Sequence, residues 1–158
     1  MKAVIQRVLS ASVSTDGKVI GNCETGFMIL FCAVNGDTED NIDLLARKVV
    51  NLRIFRDEQD KMNKSLLDVS GEVLCVSQFT LAADTKKGNR PSFIGAMEPQ
   101  TASRYYDMFC EKLKQYGVKR VEKGIFGADM KVSLVNDGPV TVILDTDVWT
   151  KRENTDEN

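Results

Sequence analysis

The sequence predicts a layered α+β single domain in which a sheet carries helices on one face and packs a second sheet, barrel-like, on the other. Three observations carry this. At 158 residues the chain has the length of one domain and can bury a sizeable core without staples. Its periodicity gives seven β-type segments and two helices in the order β-β-β-α-β-α-β-β-β. Two helices cannot cover both faces of seven strands, so strands must also cover strands.

The elements follow in order. "AVIQRVLSASVST" and "KVIGNC" alternate around Asp16-Gly17, which reads as a hairpin. "GFMILFCAV" is a continuous apolar run, as in a strand buried on both faces. The next segment offers Asp37 or Thr38 as N-cap, and Ile42, Leu45, Ala46, Val49 and Leu52 then recur at helical spacing. "DEQDKMNKSLLDVSG" reads as loop, "EVLCVSQFTL" as a central strand, and "ADTKKGNRPSFIGAM" as a long basic loop. Pro99 suits the first position of a second helix, with Ala102, Tyr105, Phe109, Leu113 and Tyr116 on one stripe and Gly117 as its stop. Three β-type segments follow. The last two, 131–135 and 140–144, flank Asn136-Asp137-Gly138-Pro139. The domain is expected over 1–146, with 147–158 a polar, disordered C-terminal tail.

Composition removes several classes of function. The net charge of −2 supplies no overall basic field, so any RNA or DNA contact must come from a local patch. Cys23, Cys32, Cys75 and Cys110 have no C-x-x-C spacing and read as small core residues in a reducing compartment. The start "MKAVIQRVLSASV" has no long apolar stretch, and the longest apolar run is too short to span a bilayer, so a cytoplasmic location without membrane contact is expected. There is no histidine, which excludes Ser-His-Asp and Cys-His catalysis and His-ligated metals. Neither a metal nor a cofactor is expected.

Three stretches are candidates for chemistry, each with an ordinary alternative. The strand "EVLCVSQFTL" is apolar on both faces until Ser77, Gln78 and Thr80 emerge at its end, which suits a rigid site or simple strand-end hydrogen bonding. Lys86, Lys87 and Arg90 in "DTKKGNRPS" fit phosphate contacts or a solvated charge run. "NDGP" reads as a turn joining two strands, yet proline cannot begin a ladder. With a cis bond the Gly-Pro pair would present carbonyl oxygens and little else, as capture of an ammonium group requires.

"SQFTL" at 77–81 together with "NDGPVT" at 136–141 resembles the paired signature of the D-aminoacyl-tRNA deacylase family. "MKAVIQRV", "ARKVVNLRIF", "KKGNRPSF" and "FGADMKVSLVNDGPVT" extend the resemblance over roughly residues 1–145. It implies a homodimer that hydrolyses the ester between a D-amino acid and the 3′-terminal ribose of tRNA. It also implies that Gly138-Pro139 is the family's Gly-cisPro motif, inserted into the other subunit's active site, where it holds the α-amino group and excludes an L-side chain. A D-side chain would point outward, and glycine would not be excluded. By the same resemblance Ser77, Gln78, Phe79 and Thr80 are catalytic, and Arg7, Ala102, Phe126, Met130, Asn136 and Thr141 surround the substrate.

The missing histidine agrees with this. An aminoacyl ester is activated, and the neighbouring ribose 2′-OH helps position or activate water, so the protein need only position groups and stabilise an oxyanion. Thr80 or nearby backbone N–H groups are expected to hold the oxyanion, with Gln78 and Phe79 orienting the terminal adenosine. A nucleophilic Thr80 is the alternative, disfavoured without a His partner. A tRNA-binding module without turnover, or an editing enzyme acting on an L-amino acid, would share the fold; the unaltered motifs favour the D-specific hydrolase.

Overall fold

The structure, a computed structural model, describes residues 1–150. β1 (Lys2–Thr15) and β2 (Lys18–Cys23) form the expected hairpin. Asp16 and Gly17 at its tip have φ of 51° and 75°, the left-handed pair that a tight two-residue hairpin turn requires. β3 (Gly26–Cys32) runs antiparallel to the first half of β1, from Lys2↔Cys32 to Val8↔Gly26. β6 (Glu72–Ser77) lies parallel to β3, and β7 (Val121–Lys123) parallel to β6. β8 (Lys131–Asp145) is antiparallel to β1 along nearly its whole length. The sheet order is therefore β2-β1-β3-β6-β7, with β8 on the remaining side of β1.

The two expected layers are thus two parts of one curled, nearly closed sheet, and β1 belongs to both. β3 flanks its first half and β2 its second. Closure brings β2 against β7 at Gly21, where a Cβ would lie 2.8 Å from the Lys123 carbonyl oxygen. Alternation along the central strands then makes two cores. Phe27, Ile29, Phe31, Val73 and Cys75 face the helices, while Met28, Leu74 and Val76 face the barrel interior with Val8, Ala11 and Val13.

Both helices form where the spacing places them. α1 (Glu39–Asn51) starts after Thr38, whose N–H donates to the Asn41 side chain at 2.8 Å. Asp37, the other N-cap candidate, instead accepts from the Val34 N–H. α2 (Pro99–Gln115) has Pro99 in its first turn and Glu98 as N-cap, accepting from the N–H groups of Gln100 (2.7 Å) and Thr101 (3.0 Å). Phe109 of α2 stacks on Phe31 at 4.8 Å between centroids, and burying such a side chain contributes roughly 1.5–3 kcal/mol.

Three readings of the sequence are corrected. The polar stretch 57–71 is not all loop: β5 (Met62–Lys64) within it pairs with β4 (Phe55–Arg56) just before it in a small second sheet. Asp57 nucleates it by accepting from the N–H groups of Gln59 (2.8 Å) and Lys61 (3.0 Å). The segments 131–135 and 140–144 are one strand, not a hairpin pair, because both align with β1. The tail, expected to start at 147, begins with a helical turn, α3 (Asp147–Thr150), in which Trp149 packs on the main core and Lys48 sits 5.0 Å from its ring centre. The rest of that expected tail lies outside the described residues.

Candidate active site

β6 carries its ladder one residue past Ser77, with the Gln78 N–H donating to the Phe31 carbonyl at 2.7 Å. The chain then tightens into a 3-10 turn over Phe79–Ala82. Gln78 Nε2 donates to Thr80 Oγ1 at 2.6 Å, so the amide and the hydroxyl that the sequence singles out are held together. Phe79 remains more than half exposed and meets Phe93 edge-on, with centroids 5.2 Å apart.

Two clefts adjoin this strand end. The larger, about 410 Å³, is strongly apolar and is walled by Phe31, Cys32, Phe93, Met97 and Ala102. The second, about 300 Å³, adds Gln78, Asp129 and Met130. Ser77, Phe79, Phe126 and Gly127 line both. Burial pushes the Cys32 thiol up, so it stays protonated and is a poor nucleophile at neutral pH. Hydrogen bonds from Gln100 and Thr101 N–H hold the Glu98 carboxyl below the usual range, and its oxygens are occupied by the helix.

The Gly-Pro stretch is a bulge. Gln6 faces Thr141 and Val8 faces Asn136, so four residues of β8 stand opposite Arg7 alone. Asn136 closes the base of the bulge: its Oδ1 accepts from the Val140 N–H (2.7 Å), and its Nδ2 donates to the Val140 carbonyl (3.2 Å) and Thr141 Oγ1 (3.1 Å). Arg7, buried beneath, donates from Nε to the Asp137 carbonyl (2.9 Å) and from Nη1 to the Ile54 carbonyl (2.7 Å). Gly138 has φ +139°, and a Cβ there would meet Val140 Cγ2 at 2.8 Å and Arg7 Nη2 at 3.1 Å. The Gly138–Pro139 bond is cis, and both residues are exposed.

One chain does not bring these two regions together. Strand register aligns Arg7 with Phe27 and Val73, four residues before Ser77. That is roughly 13 Å along the strands, with three strand spacings (~14 Å) across the sheet between β8 and β6. Arg7, Asn136 and Thr141 therefore belong to the bulge, whereas Ala102, Phe126 and Met130 belong to the clefts. Lys86, Lys87 and Arg90 lie on an exposed loop closed by paired hydrogen bonds between Asp84 and Ser92 (2.7 and 2.9 Å), immediately before Phe93. The walls Phe31, Cys32, Phe93 and Met97 were not legible as site residues. Phe31 and Cys32 sit in a run apolar on both faces, which reads only as core.

Among the described residues no group of His, Cys, Asp and Glu could hold a metal ion, and no helix is long and apolar enough to cross a membrane.

The site is thus a strongly apolar cleft and a second one with polar side chains in its wall, meeting at the end of a buried strand. The chain belongs to the D-Tyr-tRNA(Tyr) deacylase family, whose sequence profile matches residues 4–145, a family of hydrolases acting on aminoacyl-tRNA ester bonds. It is 44% identical to a solved structure of the c-Myc DNA unwinding element binding protein, covering 92% of this chain and 98% of that one with a TM-score of 0.87. A structure of a probable eukaryotic D-amino acid tRNA deacylase shares the fold at 18% identity, covering 91% of this chain and 98% of that one with a TM-score of 0.77.

Proposed function

We propose that the protein hydrolyses the ester of D-aminoacyl-tRNA, and of glycyl-tRNA, in the cytoplasm as a homodimer in which each Gly138-Pro139 bulge completes the partner's cleft. The observation that carries this is the separation just described. The cleft and the bulge are each rigidly built and exposed, yet they stand apart in one chain. β8 supports the arrangement, since among the described residues it pairs with β1 alone and carries exposed Val135 and Ile143 beside the bulge.

In the assembled site the carbonyl oxygens of Gly138 and Pro139 accept from the substrate's α-ammonium. A hydrogen fits on the side that faces the dipeptide and an L-side chain does not, whereas a D-side chain points outward. Gln78 and Phe79 orient the terminal adenosine between Phe126 and Met130, and Ala102 walls the other side. Water, positioned with the ribose 2′-OH, attacks the ester carbonyl. A C–O bond forms, the oxyanion is held by Thr80 Oγ1 or by N–H groups at the head of the 3-10 turn, and the 3′-oxygen leaves with a proton. Lys86, Lys87 and Arg90 contact phosphates of the acceptor end.

Purified protein with EDTA present is expected to hydrolyse D-tyrosyl-tRNA and spare L-tyrosyl-tRNA. Survival of both esters would overturn the reading, and equal loss of both would leave a deacylase without the chiral filter. Persistence of most activity in Thr80→Ala would exclude a covalent intermediate on that residue.

A further inference from the structure

We propose that Tyr106 is a positioning residue of the cleft: its hydroxyl fixes where the wall segment 124–130 leaves the sheet, and so sets the seats of Phe126 and Met130. The inference rests on the deacylase reading for its kinetic consequence but not for its structural one.

Tyr106 comes from α2 and is almost fully buried, its ring lying between Phe31 (6.1 Å between centroids) and Phe126 (6.4 Å). Its hydroxyl donates to the Cys75 carbonyl at 2.5 Å and accepts from the Gly124 N–H at 3.2 Å. That N–H also reaches the Cys75 carbonyl at 3.2 Å. These three groups meet where the β6–β7 ladder ends, since Cys75↔Lys123 is its last rung. Beyond it the chain has a turn bond from the Ala128 N–H to the Ile125 carbonyl, and β8 begins at Lys131. The five residues from Phe126 to Met130 all line a cleft, while Ile125 is half exposed. Gly124 itself makes room for Met130: a Cβ there would lie 2.6 Å from the Met130 sulfur. One hydroxyl thus ties the strand that ends in Ser77 to the point from which both Phe126 and Met130 are hung.

A tyrosine that merely fills the core would need the ring and not this oxygen. Burial drives the phenol's pKa far up, so the O–H remains a donor throughout the working range. The neighbouring Tyr105 serves as a control, because its ring lies 5.3 Å from the Arg104 guanidinium and, among the described residues, no hydrogen bond joins its hydroxyl to the wall segment.

The test compares Tyr106→Phe and Tyr105→Phe with the unaltered chain by amide hydrogen exchange without substrate and by steady-state hydrolysis of D-tyrosyl-tRNA. Tyr106→Phe is expected to speed exchange in 124–130 and to raise KM roughly 3- to 10-fold, the worth of one hydrogen bond, with kcat little changed. Tyr105→Phe is expected to do neither. Unaltered exchange and KM in Tyr106→Phe would overturn the proposal. So would faster exchange throughout the molecule with no split between KM and kcat, the pattern of a purely structural role. If the unaltered chain spares the D-ester, the deacylase reading falls, and localised against unchanged exchange in 124–130 still decides whether Tyr106 positions that segment.

Discussion

Arg7 shows how a single buried charge organises one half of the site. A guanidinium cannot lose its proton, so its burial requires partners. It finds them in the carbonyls of Asp137 and Ile54, with the Asp137 carboxylate 3.6 Å from Nε. The planar fork reaches the bulge and the chain entering β4 together, which a point-charged lysine cannot do. Arg7→Ala is expected to destabilise the protein by roughly 2–4 kcal/mol, read as a lower midpoint in urea, because two charge-assisted hydrogen bonds and buried volume go together. Arg7→Lys should recover less than half of that loss, and a midpoint equal to the unaltered protein would refute the bridging role. From the sequence, Arg7 could be named only through the family resemblance of "MKAVIQRV". Its partners are backbone oxygens, which every residue possesses and which no side-chain pattern marks.

At the scale of elements, the helices were legible because their signals are local. Thr38, Pro99 and the apolar stripes all act within a turn or two of themselves. The bulge was not. Asp-Gly and Gly-Pro give the same signal in a hairpin turn and in a bulge, and only the register against β1 distinguishes them. The β4–β5 sheet escaped because two- and three-residue strands have no period to read. Glu98 marks where an element meets the site, since it caps α2 one turn before Ala102 and lines the larger cleft. Hydrogen bonds from Gln100 and Thr101 N–H lower its folded pKa. A carboxyl whose folded pKa lies below its unfolded value of about 4.3 stabilises above that pH, and the contribution is lost as pH falls through the folded value. The stability difference between the unaltered protein and Glu98→Gln is therefore expected to be full at neutral pH and to shrink below about pH 4.3. Denaturation series at several pH values would show it, and a difference constant down to the acid limit would contradict the cap's charge.

The whole molecule raises the question of which chain completes which site. The sequence carries both motifs, and only the family resemblance implies that the bulge serves another subunit; the physical separation within one chain depends on register across β8, β1, β3 and β6, which no local pattern shows. If the bulge serves a partner's cleft, two defective chains should repair each other. In Gly138→Ala the new Cβ has no room beside Val140 and Arg7, so the bulge moves while the clefts stay intact. In Phe126→Ala the wall shared by both clefts is lost while the bulge stays intact. Each homodimer then lacks one half of every site. A mixed dimer has one site with both defects and one with neither. Random exchange of equal amounts makes half the dimers mixed, so about a quarter of all sites become whole, and activity should rise to about a quarter of the unaltered level. The measurement is D-tyrosyl-tRNA hydrolysis by the two variants apart, mixed, and mixed after reversible dissociation. Recovery only after exchange would place the bulge across the interface. No recovery from variants that demonstrably form mixed dimers would mean that each chain works with its own bulge, and the register argument would have to yield.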